Sequence, residues 1–396
     1  MRFDLHLRSA VRAQVAAVAG SMAEWDHRSD LEAGDRQRIL ERIESFPHTT
    51  SVADLVVAGV DGSGDFPALS YADSFVYLST AAAAVYHSDT SSGLREPEGI
   101  EPLVEFTWLP EDERQRSANL LASFERMAGR AVEDVVGSSD YLALKGSRAS
   151  SAKGAVAGLI LPHAADAGNL AIQLRSVAEL SAGLRALSAV PTRGLLLMDG
   201  TLSLPFVSRA VNSLFHEHLK RLLCVEARKA GIGAIWVSKS AGLSGESVLE
   251  ELVREKLGAD GRLEHWFIRL SPGVDFPLLA GKRVPPAGAV SYLVRTHTRV
   301  PILRFDVDEI WWRERILQAS PAETLIEEQR LLGQLDFVGH DQRSYGYPYP
   351  IKAAHDRASL TKAERLALRK QLIDAAVLSG MRRSLFRDAS LLTGHG

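Results

Sequence analysis

The sequence predicts an α/β protein in which a mixed β-sheet is covered by helices on both faces. Apolar strand-like runs alternate with amphipathic helical segments along the chain, and this alternation is typical of a sheet packed between helices. Two strand-like segments, residues 55–61 and 74–87, follow one another before the first core helix. Antiparallel neighbours need only a short connection, whereas parallel ones need a crossover. We therefore expect the sheet to open with a meander and to contain both strand directions.

Each element follows from a local pattern. Apolar runs or alternating apolar and polar residues predict strands, whereas apolar residues three and four apart predict helices. The strand patterns cover residues 55–61, 74–87, 103–109, 195–199, 233–240, 265–271, 289–297 and 300–307. The helical patterns cover residues 8–46, 110–136, 169–189, 207–231, 247–258 and most of 321–392. Pro110 before acidic residues marks a helix start, and Gly231 marks a helix end.

The chain is expected to form one core with helical extensions at both ends. Its 396 residues are 46% hydrophobic and 24% charged, which is ordinary for a globular protein that needs no disulfide or metal to fold. We predict a helical arm over residues 1–50, a core over 51–360 and a helical basic tail over 361–396. The arm is expected to contact a second copy or a partner protein. The tail has an excess of four positive charges and is either a solvated helix face or a surface for DNA or a partner.

Composition limits the compartment and the chemistry. The single cysteine, Cys224, excludes a disulfide and a Cys-based zinc site, and its apolar helical surroundings predict a buried side chain. No apolar run approaches the roughly 18 residues of a membrane span, and charged residues interrupt the N-terminal segment where a signal peptide would be apolar. We expect a cytoplasmic protein without membrane association. The formal net charge of −3 neither indicates nor excludes a nucleic-acid partner.

Two aspartates stand at the ends of apolar runs. Asp61 follows "LVVAGV", Asp199 follows "LLLM", and a glycine comes next in both cases. Open α/β sheets carry their sites at strand ends, so we expect the two carboxylates to face one another. Such crowding raises a pKa unless a cation lies between the carboxylates, and their hard oxygen atoms suit Mg²⁺ or Mn²⁺. The alternative is that each aspartate caps a turn, because Asp-Gly is a common turn sequence.

A third carboxylate is needed to hold a divalent ion well. Glu179 lies beside the apolar stripe of the helix that precedes the Asp199 strand, and from there it can reach over the sheet edge. The alternatives are that Glu179 is a solvated surface residue, or that Glu125 or Glu133 fills this role. Asp306 and Asp308 are further acids near a strand end, for which we expect a structural role or a place beside the site.

The segment "YGYPYPIKAAHDRASLT", residues 345–361, is the most distinctive in the chain. Tyr345, Tyr347 and Tyr349 alternate with glycine and proline, and prolines restrict the backbone to an extended path. His355 then lies in the first turns of a helix, three residues after Lys352. The rigid approach restricts where this helix can begin, which indicates that the position of His355 matters.

These segments together resemble the NurA nucleases, prokaryotic enzymes that process DNA ends. "VAGVDGSG", "RSVAEL", "LLLMDGTL" and "YGYPYPIKAAHDRASLT" match the order and wide spacing of that family's motifs, and "AIWVSKS" and "VPILRFDV" match its later strands. The resemblance covers roughly residues 50–365. It implies an RNase H-like core for the region 51–360. It also implies that Asp61, Glu179, Asp199 and His355 form a Mn²⁺ or Mg²⁺ site.

The resemblance implies a metal-dependent deoxyribonuclease that cleaves phosphodiester bonds by a two-metal mechanism, as an endonuclease, a 5′–3′ exonuclease or both. His355 would bind metal, donate a proton or orient the phosphate. Lys239, Tyr347 and Lys352 are candidates for contact with the phosphate or DNA, although Lys239 is equally well explained as a solvated lysine. The implied roles are DNA end resection, repair or defence.

The resemblance also implies a homodimer docked on a hexameric ATPase of the HerA type. The sequence has no GxxxxGK[ST] motif, so ATP dependence would come from that partner. Two other functions fit the residues: a catalytically silent subunit that clamps DNA or regulates the ATPase, and another RNase H-like nuclease that acts on RNA. Trp311 and Trp312 could stack on bases, but packing in the core or a dimer explains them better.

Overall fold

The computed structural model describes residues 8–27, 32–72, 74–89, 93–97, 99–145, 167–202, 214–239, 241, 243, 246–258, 265–270, 288–298 and 300–387. The strands are β1 (Ile43–Ser45), β2 (Val56–Tyr71), β3 (Ser74–Asp89), β4 (Gly93–Arg95), β5 (Leu103–Leu109), β6 (Leu195–Asp199), β7 (Gly233–Ser238), β8 (Trp266–Leu270), β9 (Ala289–Arg295), β10 (Leu303–Asp308) and β11 (Phe386–Arg387). The helices are α1 (Ser9–His27), α2 (Ala33–Arg42), α3 (Glu113–Ala128), α4 (Val132–Ser138), α5 (Tyr141–Lys145), α6 (Ala167–Ala186), α7 (Leu214–Lys229), α8 (Glu246–Leu257), α9 (Glu309–Arg315), α10 (Pro321–Gly339), α11 (Tyr349–Ala358) and α12 (Lys362–Leu378).

The strands form one mixed sheet. Its order is β1-β8-β9-β10-β7-β6-β2-β3-β4, with β5 paired to β3 and β11 paired to β2. The central strands β2, β6 and β7 run parallel, whereas β2 with β3 and the strands beyond β7 pair antiparallel. The predicted fold class, a mixed α/β sheet that opens with a meander, is confirmed.

Helices cover both faces of the central strands, and the side chains of β2 alternate between the two covers. Ala58 and Val60 belong to the apolar cluster that includes Leu174 of α6. Val57 belongs to the opposite cluster, which includes Ile351 of α11. Because successive strand residues point to opposite faces, Asp61 shares the α11 face with Val57.

The largest difference from the predicted elements concerns β2. The strand pattern predicts an end at Asp61, but β2 continues through Gly62 and Gly64 to Tyr71, so that prediction is wrong. The antiparallel pairing with β3 runs from Val56 past Asp61 and supplies the backbone hydrogen bonds that let the glycines stay in a strand. Asp61 therefore lies within a long strand and not in a turn.

Other observed element boundaries differ from the predicted ones, each for a local reason. The helix predicted over 110–136 divides into α3 and α4 because Gly129 adopts a φ of 65° and ends the first helix. The helical pattern over 8–46 ends in strand β1, which pairs with β8. The helical pattern at the C-terminus includes the short strand β11, which pairs with β2. The predicted helix over 207–231 is described from Leu214, and its first residues lie outside the described part.

Several side chains are buried in the core as predicted. Cys224 on α7 is buried among apolar residues. Trp311 and Trp312 are buried in the cluster on the α11 face, so their packing in the core is confirmed. Within the described residues, no helix combines the length and the apolar character that crossing a membrane requires.

Candidate metal centre

Asp61 and Asp199 occupy neighbouring positions on adjacent parallel strands. The register of β2 with β6 pairs Val57 with Leu195 and continues residue by residue to Val60 with Met198. Asp61 and Asp199 are the residues that directly follow this last pair on the two strands. Paired strands lie about 4.8 Å apart, and in-register residues of parallel strands share a face. The two carboxylates are therefore neighbours, as predicted, although one of them is in the middle of its strand.

The Asp61 carboxylate is buried and has two polar partners. Its Oδ1 accepts the backbone N–H of Gly62 at 2.7 Å, and its Oδ2 lies 2.9 Å from Nδ1 of His355. Burial raises the pKa of Asp61 above its ordinary value, and the charge of Asp199 raises it further. The contacts with Gly62 and His355 lower this pKa only in part. Ionisation of Asp61 is therefore less favourable than that of a solvated aspartate.

Asp199 ends β6 and is held by a tyrosine. The chain turns directly after it at Gly200, where φ is +99°. The hydroxyl of Tyr347 donates to Oδ1 of Asp199 at 2.6 Å. Burial and the neighbouring carboxylates raise the pKa of Tyr347 well above its ordinary value, so the hydroxyl keeps its proton and stays a donor. Lys239 is exposed, and its Nζ lies 4.4 Å from the centroid of the Tyr347 ring.

Glu179 reaches the same place from α6, the helix on the opposite face of the sheet. A Cβ atom at Gly62 would lie 2.8 Å from Oε1 of Glu179 and would overlap its Cγ. The missing side chain at Gly62 is therefore what lets Glu179 approach the sheet. Arg175, one helical turn earlier, places its Nε 3.3 Å from Oε1 of Glu179. Burial raises the pKa of Glu179 to about 8, Asp61 and Asp199 raise it as well, and Arg175 opposes them.

His355 is positioned by the close packing of α11 on β2. A Cβ at Gly59 would overlap backbone atoms of Pro350 and Ile351, so the first turn of α11 lies directly on the strand backbone. At the other end of the helix, the hydroxyl of Thr80 donates to the carbonyl of Ala358 at 2.6 Å. The His355 ring itself remains about half exposed, because its side chain has 54% of its accessible surface. One edge of the ring thus meets Asp61, and Nε2 on the other edge lies 3.4 Å from the hydroxyl oxygen of Ser359.

The donor set fits a divalent cation. Asp61 and Glu179 both have raised pKa values, and each owes part of the rise to neighbouring carboxylates. A cation between the carboxylates would offset this repulsion. Carboxylate oxygens are the ligands that Mn²⁺ and Mg²⁺ prefer. Asp61, Glu179 and Asp199 lie close enough for their charges to act on one another, and Nδ1 of His355 is within hydrogen-bond distance of Asp61.

Comparison with known proteins gives a fold but no sequence relative. No protein-family model matches the chain, and no curated protein matches its sequence. The structure is similar to the crystal structure of the NurA nuclease from Sulfolobus solfataricus, with a TM-score of 0.50 and 13% identity over 95% of this chain and 99% of that chain. This chain has the NurA nuclease fold. A crystal structure of NurA bound to dAMP and manganese also matches, with a TM-score of 0.40 and 11% identity over 96% of this chain and 99% of that one.

The resemblance inferred from the motifs is confirmed at the level of the NurA fold. Of the predicted site residues, the structure brings together Asp61, Glu179, Asp199 and His355, with Tyr347 on Asp199. Lys239 lies beside them at the end of β7. Lys352 is the exception among the predicted residues, because its Nζ is 2.7 Å from Asp356 in a solvent-exposed pair on α11.

The rival carboxylates lie elsewhere in this NurA fold. Glu125 accepts the backbone N–H of Val132 at 3.2 Å and thereby caps α4, and Glu133 is exposed. Asp306 accepts from the hydroxyl of Ser291 at 2.7 Å and from the backbone of Leu202.

Asp308 has a structural environment as well. Its carboxylate accepts from Arg221 at 2.8 Å and from Arg228 at 2.5 Å, inside a buried network that also includes Asp140. The side chain also accepts the backbone N–H of Trp311 at 3.4 Å and caps α9. The structural role expected for Asp308 is consistent with these contacts.

Sequence reasoning missed two features of the molecule. Arg175 stands four residues before Glu179 and forms an ion pair with it; the spacing on one helix was the available signal. Among the described residues, the group whose ligand atoms all lie within 4.8 Å of one another is a different one, formed by His48, His265, Asp336 and His340. Only the spacing of Asp336 and His340 was visible in the sequence, since the other two members come from distant segments.

Metal-free protein is expected to lose stability as the pH rises from about 5 to about 8. The pKa of Glu179 is about 8, against an ordinary 4.5, so between these values the folded state holds a proton that the unfolded chain has released. The stabilising contribution of protonated Glu179 is therefore complete below its ordinary pKa of 4.5. It declines as the pH rises towards 8. Thermal melts in EDTA across this range measure the decline, and Glu179→Gln should reduce it. An equal decline in the variant would show that other groups cause it.

Proposed function

We propose that this protein is a metal-dependent nuclease that hydrolyses phosphodiester bonds in DNA. The observation that carries the proposal is the convergence of Asp61, Glu179 and Asp199 from two strands and a helix, with His355 on Asp61 at 2.9 Å. Two of these carboxylates have pKa values raised by burial and mutual repulsion. A polar cluster of this kind favours a bound divalent cation over a purely structural role.

Different residues of the chain bind the cation, orient its ligands and exchange protons. A bound divalent metal, as one ion or a pair, would supply an activated water and stabilise the leaving oxygen. Asp61, Glu179 and Asp199 would hold the metal, and the hydroxyl of Tyr347 orients the Asp199 carboxylate. His355 contacts Asp61 through Nδ1. Its Nε2, which lies 3.4 Å from the hydroxyl oxygen of Ser359, is the atom left to exchange a proton with substrate or solvent. The half-exposed ring is accessible for that exchange.

Positive charge for the substrate comes from lysines near the carboxylates. Lys239 is exposed beside the Tyr347 ring, from where its ammonium can steady a phosphate as a point charge. Lys352 would have to leave Asp356 to do the same. Such contacts bind the backbone without reading sequence, which suits an enzyme that acts on DNA ends.

The test is a cleavage assay on matched substrates. Purified protein should cut linear DNA in Mn²⁺ or Mg²⁺ and lose this activity in EDTA, while Asp199→Asn should be inactive under all conditions. End-labelled strands with opposite labelled ends distinguish endonuclease from 5′–3′ exonuclease products. Cleavage of the RNA version in preference to DNA would favour the RNA nuclease. No cleavage of either, by folded and metal-loaded protein, would favour the silent DNA-clamping subunit.

The proposed assembly is a homodimer that works with a hexameric HerA-type ATPase. Its support is α1, the described part of the proposed arm over residues 1–50. Val15, Val18 and Met22 lie on one stripe of α1 and are 64%, 59% and 67% exposed. An apolar stripe on an otherwise unpacked helix is suited to a protein contact. The proposed core over 51–360 and basic tail over 361–396 complete this organisation.

A substitution in the apolar stripe of α1 distinguishes a dimer contact from a contact with the ATPase. If α1 is the dimer seam, Val18→Asp should halve the mass measured by light scattering without lowering the melting temperature. If α1 meets the ATPase, the variant should keep the wild-type mass and lose co-purification with a co-expressed HerA-type ATPase. A variant that changes neither the mass nor the co-purification would exclude both roles for this stripe.

A further inference from the structure

A second cluster of metal-binding side chains lies away from the proposed active site. His48, His265, Asp336 and His340 each offer one ligand atom, and these four atoms lie within 4.8 Å of one another. None of them belongs to the group formed by Asp61, Glu179, Asp199 and His355. The set has three imidazole nitrogens and one carboxylate oxygen, whereas the proposed active site is dominated by carboxylates.

The fold brings three separate segments to this point. His48 follows β1 and His265 precedes β8. These strands pair antiparallel with Ser45 opposite Trp266, so the two histidines emerge at the same end of the pair. The backbone N–H of Phe46 donates to the carbonyl of His265 at 3.2 Å and continues the pairing towards them. Asp336 lies in the last turn of α10, and His340 is the residue that directly follows the helix; residues four positions apart lie on one face of a helix.

The Asp336 carboxylate is oriented towards the histidines and is incompletely satisfied. Its side chain has no accessible surface. Oδ2 lies 2.8 Å from Nδ1 of His48 and accepts the backbone N–H of Thr49 at 2.9 Å. Neither Oδ1 nor the buried Nε2 of His265 has a partner with hydrogen-bond geometry; the two atoms form an ion pair at 3.4 Å when the ring is protonated. Buried polar atoms without partners are rare because their desolvation is uncompensated.

The unpartnered atoms are spaced as metal ligands are. Oδ1 of Asp336 lies 3.4 Å from Nε2 of His265 and 3.4 Å from Nδ1 of His340. Two ligands of a tetrahedral zinc ion with bonds of about 2.0–2.1 Å are about 3.3 Å apart. The rings of His48 and His340 are also close, with centroids 4.2 Å apart. A small cation among these atoms would satisfy both Oδ1 and Nε2.

We propose that His48, His265, Asp336 and His340 form a structural zinc site. Three nitrogens and one oxygen suit Zn²⁺ and other borderline transition ions, whereas Mg²⁺ and Mn²⁺ prefer an all-oxygen set. Four protein ligands leave no open position for substrate, which is the pattern of structural sites. The backbone N–H of Thr49 donates to the Asp336 carboxylate and fixes its orientation. The site ties the end of the short edge strand β1 to β8 and α10.

The absence of cysteine pairs does not count against this site. The sequence excludes a Cys-based zinc site, but histidine and aspartate are zinc ligands in their own right. The rival explanation is a hydrogen-bonded histidine–aspartate cluster that binds no ion. In that case the orphaned Oδ1 and Nε2 would gain nothing from zinc, and metal would leave the stability of the protein unchanged.

Metal loading of the full chain tests the proposal. Protein stripped with EDTA is reloaded with ZnCl₂ or CoCl₂, desalted and analysed for metal content. The wild type should retain one equivalent of zinc, and His340→Ala and His48→Ala should each bind zinc at least tenfold more weakly. The matched control is His87→Ala, which changes an exposed histidine of β3 outside the cluster. Its zinc content should equal that of the wild type.

Cobalt distinguishes this cluster from the carboxylate site. Tetrahedral Co²⁺ absorbs visible light far more strongly than Co²⁺ in a six-coordinate oxygen site. The strong visible absorption of tetrahedral Co²⁺ should persist in Asp199→Asn and disappear in His340→Ala. Zinc should also raise the melting temperature of the wild type and His87→Ala by several degrees, reversibly with EDTA, but not that of His340→Ala.

Two results would overturn the proposal. One is wild-type protein that retains no zinc after loading. The other is a metal content, cobalt band and zinc-induced melting shift that are the same in His340→Ala, His48→Ala and wild type. Because circular dichroism reports whether each variant is folded, and the two histidines lie on different segments, a folding defect in one variant leaves the other to decide.

Discussion

Asp61→Asn should abolish metal-dependent DNA cleavage and at the same time raise the melting temperature of the metal-free protein. Asparagine keeps the size of the side chain and an oxygen that can accept from Gly62, but it removes the negative charge. Loss of a ligand at the centre of the site should lower kcat at least about 10³-fold, as does removal of one member of other catalytic groups. A nuclease assay in Mn²⁺ measures this loss.

The stability gain has a separate physical origin. The pKa of Asp61 is raised in the folded state, first by burial and then by Asp199. Ionisation of this residue therefore opposes folding at any pH above its ordinary pKa. Removing the charge relieves that opposition, so the gain in melting temperature in EDTA should be larger at pH 8 than at pH 4. Differential scanning calorimetry at the two pH values measures it.

Asp356→Asn is the matched control for this experiment. Asp356 is the residue after His355 on α11, but its carboxylate is exposed and pairs with Lys352. The control should cleave DNA within about twofold of the wild type, because an exposed ion pair contributes little. If Asp61→Asn cleaved DNA as fast as this control, the assignment of the metal site would be wrong.

Gly59→Ala should destabilise the protein and greatly reduce cleavage although it touches no carboxylate. The added Cβ would overlap the backbone of Pro350 and Ile351, so α11 must move away from β2. Overpacking of this kind costs about 1–3 kcal/mol, and backbone atoms cannot yield as a flexible side chain does. Since α11 carries His355, its displacement should also separate that ring from Asp61. Urea unfolding and the nuclease assay measure the two effects.

Gly137→Ala tests whether the effect comes from the contact and not from the loss of a glycine. Gly137 lies in α4, and no atom lies within 4 Å of the Cβ that alanine would add. This variant should be unchanged or more stable by about 0.5 kcal/mol, because alanine restricts the unfolded chain. Equal unfolding midpoints for the two variants would contradict the proposed packing of α11 on β2.

Much of the fold was predictable because it depends on short-range patterns. The apolar run before Asp199 predicted β6, and the segment around Trp108 predicted β5 with its observed ends. The extension of β2 beyond Asp61 was not predictable in the same way, since glycine signals a turn in an isolated segment. Its pairing with β3 overrides that signal.

In the candidate site too, some features were predictable from short-range patterns and others were decided by tertiary contacts. The flanking residues of Asp61, Asp199 and His355 marked them as candidates. The resemblance of these segments to the NurA motif series predicted that they belong to one site. Glu179 was preferred to its rivals Glu125 and Glu133, but a glutamate on a helix has no local mark of function that would exclude them. Its approach to Gly62 from the opposite face of the sheet separates it from them. The histidine–aspartate cluster left no trace in the sequence except the four-residue spacing of Asp336 and His340.

Chain order and side-chain chemistry were enough to place the strands, the helices and the acidic residues that end or interrupt them, because periodicity and turn preferences act over a few neighbouring residues. Which of those residues meet was decided in three dimensions. The register of β2 on β6, the bare backbone at Gly59 and Gly62, and the meeting of β1, β8 and α10 all join segments far apart in sequence. Such contacts form only when the whole core packs, since the free energy that holds each of them comes from burial shared across the sheet.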